Sequence, residues 1–475
     1  MTTVAKLNYQ RKLAGLPLIR FDIVRLNPED IQDLRDAYAA MYEISDIAVG
    51  DARGYTALAR GHGYDQDLCH NDSRIFLTWH RSYVYAFEKA LNTALKWKRK
   101  DDQLELTLPF WNWTQYKSDT HASNGIPKTI DDMTYKNSAG ATVDNPLARA
   151  KSLYRTLSQG LTGEEAYTHR YPTQLRSGIS QLKDEVDRYM DNPDFSSFSD
   201  DFNNGAHGSV HVWVGGSNPS SPLPSKVGDM RSVISAGYDP IFWLHHSMVD
   251  KVWFDWQALH PGVSVPRHVL DTTVYGGKPG SAYIDAPNSL RYIYSSDSVD
   301  TAMASTGTMA EADALTTPVT MASVSPQTNK EIPLGTVTSG FARAQLDFFR
   351  LHPPKESFEV RAYVDNPNCN ADSGYDDPSY AGRMVLFGHG VCHGAPGHCN
   401  PDLAKRDAYD IRSKHPLRYE HTSYCLDVTR GLRNHIGRKK SIDDVKIYLV
   451  TVDGDGKGVS PGALRYEGCS LRTFG

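Results

Sequence analysis

The chain has 475 residues, 51 basic against 56 acidic, for a formal net charge of −5. Single cores stop growing near ~250–300 residues, so this length calls for two domains. With 40% hydrophobic and 23% charged residues, no long basic run and no apolar stretch near ~20 residues, the composition is globular and points away from nucleic acid and from a membrane span.

The opening segment, MTTVAKLNYQRKLAGLPLIRFD, lacks the apolar run of a secretory signal. That suggests a cytoplasmic protein, or a mature form with its signal removed. NPEDIQDLRDAYAAMYEIS then sets Ile31, Leu34, Tyr38, Met41 and Tyr42 at helical spacing behind Pro28 and two early acids. A second helix is predicted from about Arg74 to Lys98, with His80, Tyr83, Val84, Phe87 and Leu91 on one face. Residues 116–150 are polar and read as loop. A third helix spans about Pro240 to Leu259 and aligns Phe242, His246, Val249 and Trp253.

The composition shifts near Ser295. Residues 296–338 are rich in Ala, Ser and Thr, contain no aromatic residue and read as a linker. Beyond them SFEVRAYVD, GRMVLFGHG, SYCLDVTRGL and VKIYLVTVD alternate as short strands between Gly, Pro and Asp turns. The expected organisation is a mainly α N-terminal domain over 1–295, the linker 296–338, and a β-sandwich over 339–475. Of six cysteines, Cys69 stands alone in the first 368 residues, and Cys369, Cys392, Cys399, Cys425 and Cys469 follow. Five is odd, so they cannot all pair among themselves.

Histidine placement carries the functional signal. His62, His70 and His80 are the histidines of the first 120 residues; His207, His211, His245 and His246 form a later group. A lone histidine among apolar residues is usually a core residue with a satisfied hydrogen bond. HGSVH, however, puts His207 and His211 four apart, on one face of a helix, a spacing that suits two imidazoles on one metal. A surface helix with two unrelated histidines would fit the same spacing. Gly205 and Gly208 argue against that, because glycine weakens a helix interior by up to ~1 kcal/mol. They suit a place where another backbone or a ligand approaches closely. In GYDPIFWLHHSMVDKVWFDWQ the adjacent His245 and His246 point about 100° apart, so only one can face the metal of His207 and His211. Asp250, four residues after His246, is placed to orient a ligand imidazole or its neighbour. Three histidines from each half make two all-imidazole sites, which suit copper or zinc better than magnesium or calcium.

FLTWHRSYVYAFEKAL, LPFWNWT, HGSVHVWVGG and DPIFWLHHSMVDKVWFDW together resemble the copper-site motifs of the tyrosinase, catechol oxidase and molluscan haemocyanin superfamily, over roughly residues 15–295. LRYIY at 290–294 is similar to the family's tyrosine-rich closing motif. The resemblance implies a four-helix bundle holding two copper ions. One is held by His62, His70 and His80, the other by His207, His211 and His246, the second of the adjacent pair. It also implies O2 and a phenolic or aminophenolic small molecule as partners, with two catechols oxidised per O2. Val233, thirteen residues before His246, matches the gate residue above one copper, or is ordinary core.

Departures from the family pattern are informative. Nine residues separate His70 from His80 where the family usually has eight, which would make Asn71 the ligand; His70 with a local bulge is the expectation. Cys69 directly precedes His70, too close for the thioether crosslink of some relatives, and is expected as a buried thiol. Asn112 in LPFWNWT stands where the family usually has Asp. Gly208 follows His207 where monophenol-hydroxylating relatives carry an Asn that holds a water as base. Asn203, Asn204, Asp200 and Asp201 lie near enough to substitute, although Asp200 and Asp201 equally suit a solvated helix start. GHGVCHGAPGHC offers Cys392, His393, His398 and Cys399 to a soft metal, or is a polar loop with a disulfide or free thiols. The second domain resembles those that cover the active-site mouth in haemocyanins and latent phenol oxidases. Two alternatives remain: an oxygen carrier with the same ligands, which normally comes as many fused units, and a zinc hydrolase, which needs a carboxylate such as that of HExxH where Gly208 stands.

Overall fold

The computed structural model describes residues 3–63, 75–223, 226–295, 331–349, 351–352, 354–388, 424–437, 441–466 and 468–474. Its first part is a helical core. The helix Pro28–Ile47 begins at a capping box in which Asn27 and Asp30 bind each other's backbone N–H groups, with Pro28 in the first turn. It packs on Phe76–Arg99, which also meets Pro240–Leu259. Phe76–Arg99 stops at Lys100, a left-handed residue (φ 52°) preceded by Lys96, Lys98 and Arg99, whose charges favour a helix C-terminus. Pro240–Leu259 starts where Asp239 accepts the N–H of Ile241. The apolar faces of these helices bury Trp79, Trp111, Trp113, Trp213, Trp243, Trp253 and Trp256 almost completely. No helix of the described residues is long and apolar enough to cross a membrane.

The predicted loop at 116–150 includes a short helix, Lys128–Asp131, and a small hairpin of Thr134–Lys136 with Thr142–Asp144. Near residue 205 the helix Phe195–Phe202 runs through a wide turn, Asn203–His207, into Gly208–Gly215, with a kink at Gly205. A Cβ on Gly205 would lie 2.0 Å from the Tyr189 hydroxyl, and one on Gly208 2.9 Å from Val385. Both glycines thus sit closely against side chains, where the sequence led us to expect another backbone or a ligand.

The later part builds two antiparallel sheets. One orders Glu331–Thr338, Ser441–Val452, Phe358–Val364 and Tyr380–Leu386; the other orders Gly468–Phe474, Arg343–Phe349 and Tyr424–Asp427. One apolar cluster, including Leu346, Val360, Met384, Leu426 and Ile447, draws on both sheets. Residues 331–338, expected in the linker, are a strand instead. Ile332 and Val337 are buried and the segment pairs with Ser441–Val452, so burial and ladder hydrogen bonds outweigh its loop-like composition. Residues 296–330 of the expected linker lie outside the described residues.

The sheets are docked on the helical part by polar contacts. Arg383 makes a bidentate pair with Glu185 (2.7 and 2.9 Å) while its third nitrogen bonds Glu359 (3.0 Å). Arg231 donates to the Ser357 carbonyl (2.9 Å). Asp455 accepts from the Ser217 hydroxyl and from Thr173 (2.8 Å).

Candidate metal centre

Five of the expected ligands are described, all with less than 2% of their surface exposed. His62 follows the short helix Tyr55–Ala59, His80 lies in the first turns of Phe76–Arg99, His207 and His211 flank one turn at the start of Gly208–Gly215, and His246 sits in the second turn of Pro240–Leu259. Every one directs Nδ1 at a backbone carbonyl: His62 at Val233 (3.0 Å), His80 at Phe76 (2.8 Å), His207 at Asn203 (3.1 Å), His211 at Met230 (3.0 Å) and His246 at Phe242 (3.0 Å). A carbonyl on Nδ1 fixes the tautomer with the proton there and leaves the Nε2 lone pair for a metal.

The Nε2 atoms converge. Ligand atoms of His207, His211, His245 and His246 lie within 4.8 Å of one another, as do those of His62, His80 and His246. His246 Nε2 is 3.2 Å from His207 Nε2, and the His80 and His246 rings stack at 4.3 Å. Burial pushes His207 down to about 4. Burial, then the neighbouring imidazoles, holds His80, His211, His245 and His246 well below the ordinary value. All five therefore stay neutral at pH 7, the form that ligates. His211 Nε2 is buried with no hydrogen-bond partner among the described residues, a cost a metal would remove. His70 and Cys69, with the expected bulge and the spacing of Asn71, lie outside the described residues, as do Cys392, His393, His398 and Cys399.

Other sequence candidates take different places. Asp250 does not orient a histidine. It is the buried hub of a polar cluster, accepting from Arg81, from Arg20 (2.9 Å), from Tyr292 (2.5 Å) and from Tyr294 (2.6 Å). The parallel pairing of Leu18–Arg20 with Tyr292–Tyr294 brings Arg20 and the two tyrosines there. Burial raises the Asp250 carboxyl, but Arg81 and Arg20 outweigh it and hold the group below its ordinary range. Asp201 points away from the histidines to Arg343 (2.5 Å) and the Cys425 thiol (3.4 Å). Burial, against Arg343, raises it to about 7. Asn112 accepts from Thr114 in a local turn (2.7 Å). Val233 is buried, and its carbonyl is what holds His62. Asn203 and Asn204 line a cavity of about 20 Å3 with His207, Gly208, Val385, Phe387 and Tyr424. That is room for about one water and no aromatic ring.

Two groups of site residues escaped the sequence reading. The carbonyl tethers of His80, His207 and His246 come from four residues back, a spacing that was there to use. Val385 and Phe387 had no signal beyond strand alternation. The Phe387 ring lies edge-on to His211, centroids 4.7 Å apart.

Two sets of buried imidazoles, sharing His246, lie between packed helices, and each could hold a metal ion. Residues 52–259 match the family described as the common central domain of tyrosinase. The chain is 30% identical over 202 residues to the tyrosinase of Streptomyces glaucescens, 39% of this chain and 64% of that one. It is 28% identical over 274 residues to haemocyanin 2 of Megathura crenulata, 54% of this chain and 7% of that one. The chain thus spans less than two thirds of the length of these relatives. In fold it is similar to a latent aurone synthase (a polyphenol oxidase), with TM-score 0.59 at 17% identity over 97% of this chain and 91% of that one. It is similar also to a functional unit of octopus haemocyanin, with TM-score 0.55 at 19% identity over 95% and 99%. The central part of the chain is thus similar to the common central domain of tyrosinase, and its clustered buried histidines could hold metal ions.

Proposed function

We propose that the chain oxidises o-diphenols or o-aminophenols with O2, and that residues 1–295 form the oxidase domain. The observation that supports it is the convergence of tethered imidazoles in two sets. His62, His70 and His80 hold one copper, and His207, His211 and His246 the other. Copper bound there supplies O2 reduction and accepts two electrons from each catechol, so two catechols and one O2 give two quinones and two waters. The chain's residues do the rest. Carbonyl tethers keep each Nε2 aimed inward, and the buried aromatic residues around the rings exclude water. Asn204 lines the small cavity beside His207, and Asp201 is occupied by Arg343.

Oxygen uptake by copper-loaded protein tests the function. Catechol and 2-aminophenol should be consumed with O2, and phenol at least tenfold more slowly. Reversible O2 binding without consumption would instead establish the carrier reading. If a missing water-holding side chain causes the preference, an Asn at 208 should raise phenol turnover. Because its Cβ would meet Val385, the substitution needs relief, so the expected gain belongs to the double variant Gly208→Asn/Val385→Ala.

Ligand roles are tested by metal content. His246→Ala should end with one copper per chain in place of two, whereas a replacement of His245 should still end with two. The reverse pattern would overturn the assignment.

A further inference from the structure

His245 is left over by the assignment above, yet it belongs to the second cluster. Its ligand atoms lie within 4.8 Å of those of His207, His211 and His246. Its ring is parallel to that of His207 (9°, centroids 5.2 Å apart) and edge-on to that of His211 (4.7 Å). It is fully buried. A neutral imidazole carries one donor and one acceptor, and a buried one normally satisfies both. Neither nitrogen of His245 has a hydrogen-bond partner among the described residues. The contrast with its neighbours is specific. His207, His211 and His246 are each pinned through Nδ1 to a carbonyl, so their rings are fixed, while no such bond fixes the ring of His245.

A buried, untethered imidazole among three tethered ones suits a ligand that turns toward a metal and away again. His246 has a competing position, because a ring nitrogen of it also lies within 4.8 Å of ligand atoms of His62 and His80. A copper arriving at His207 and His211 therefore meets His245 as a third imidazole while His246 is still shared with the other set.

Resting on the copper reading above, we infer that His245 is a loading ligand of the second copper site. It completes a transient three-imidazole set with His207 and His211 before His246 replaces it. No electron is transferred in this exchange; one Nε2–metal bond forms as another breaks.

The experiment follows Cu(I) uptake by the copper-free full chain under anaerobic conditions, read as loss of colour from a chromophoric Cu(I) chelate. His245→Leu removes the nitrogen. His245→Met restores a soft donor in a side chain of matched volume, so the pair separates ligation from packing. Wild type and both variants should end at two coppers per chain with the same copper-free melting temperature. The second uptake phase should slow by roughly tenfold in His245→Leu, the scale of losing one supporting group at a metal site, and recover in His245→Met. Equal uptake by His245→Leu and wild type overturns the inference, as does a His245→Met variant as slow as His245→Leu. A His245→Leu chain that ends at one copper makes His245 a permanent ligand and also overturns it. A wild-type chain that binds fewer than two coppers overturns the ligand assignment itself.

Discussion

Replacing Phe387 by Ala will raise the rate of catechol oxidation. The Phe387 ring is edge-on to His211, and with Val385 it reduces the space beside His207 and Gly208 to about 20 Å3. A catechol ring cannot share that space, so a catechol bound beside His207 would have to displace the ring of Phe387. A group held on the same chain competes at an effective concentration of order mM, which even a weak contact makes inhibitory at ordinary substrate levels, by roughly tenfold. We therefore propose that the later, sheet-containing part shields the site, and that the full chain is latent. The measurement is kcat/KM for catechol at equal copper content. Phe387→Leu, which keeps an apolar side chain in place, should change little. An unaltered rate in Phe387→Ala, with two coppers bound and the protein folded at the assay temperature, would remove the shield from the account.

The largest loss of stability is expected from Asp250→Ala. The carboxylate accepts from two buried guanidinium groups and two buried tyrosine hydroxyls. Arg20 also pairs with Glu88 (2.7 Å) and lies 3.6 Å from the centre of the Tyr292 ring, and Arg81 lies 3.6 Å over Trp253. Removing the carboxylate strands positive charge in the core, which costs about 3–5 kcal/mol, a large share of the ~5–15 kcal/mol total of a typical domain. Urea unfolding of the copper-free protein should show a much lower midpoint, and Asp250→Asn should fall between. Asp250 is held below its ordinary carboxylate range when folded, so it releases its proton more readily than in the unfolded chain. Its contribution is present above the unfolded value, near ~3.9, and is lost only as the pH falls through the lower folded value. The gap between wild type and Asp250→Ala should therefore persist from pH 8 to pH 5 and narrow in stronger acid.

Reading the sequence succeeded where a signal was local. The helix Pro240–Leu259 was bounded correctly because Asp239 and Pro240 mark its start and its apolar period runs to its end. The closeness of His207 and His211 was legible because their spacing is one helical turn. The failures are of another kind. Asp250 was expected from a four-residue spacing to orient a ligand imidazole or its neighbour, but its partners come from residues 20, 81, 292 and 294, which only the tertiary fold assembles. Asp201 was read against the nearby His207, whereas its true partner is Arg343, on the first strand of the second sheet by sequence order. The linker was drawn eight residues too long although EIPLGTVT already alternates like a strand. Nothing in one sequence says that Phe387 faces His211, because strand alternation gives a face and not the object opposite it.

Arg383 has a carboxylate from each side of the docked surface, Glu185 and Glu359, and is itself fully buried over Trp213 (4.3 Å). Pulling the two parts asunder would leave a guanidinium and a carboxylate bare before water could reach them, a barrier that does not depend on the polypeptide connecting them. Chain continuity and physical attachment are therefore separable in this protein. A chain nicked within 296–330 would run as two fragments under denaturing conditions and still sediment as one particle. Activation of the proposed latent form would then be a slow first-order release, hastened by denaturant and indifferent to protein concentration.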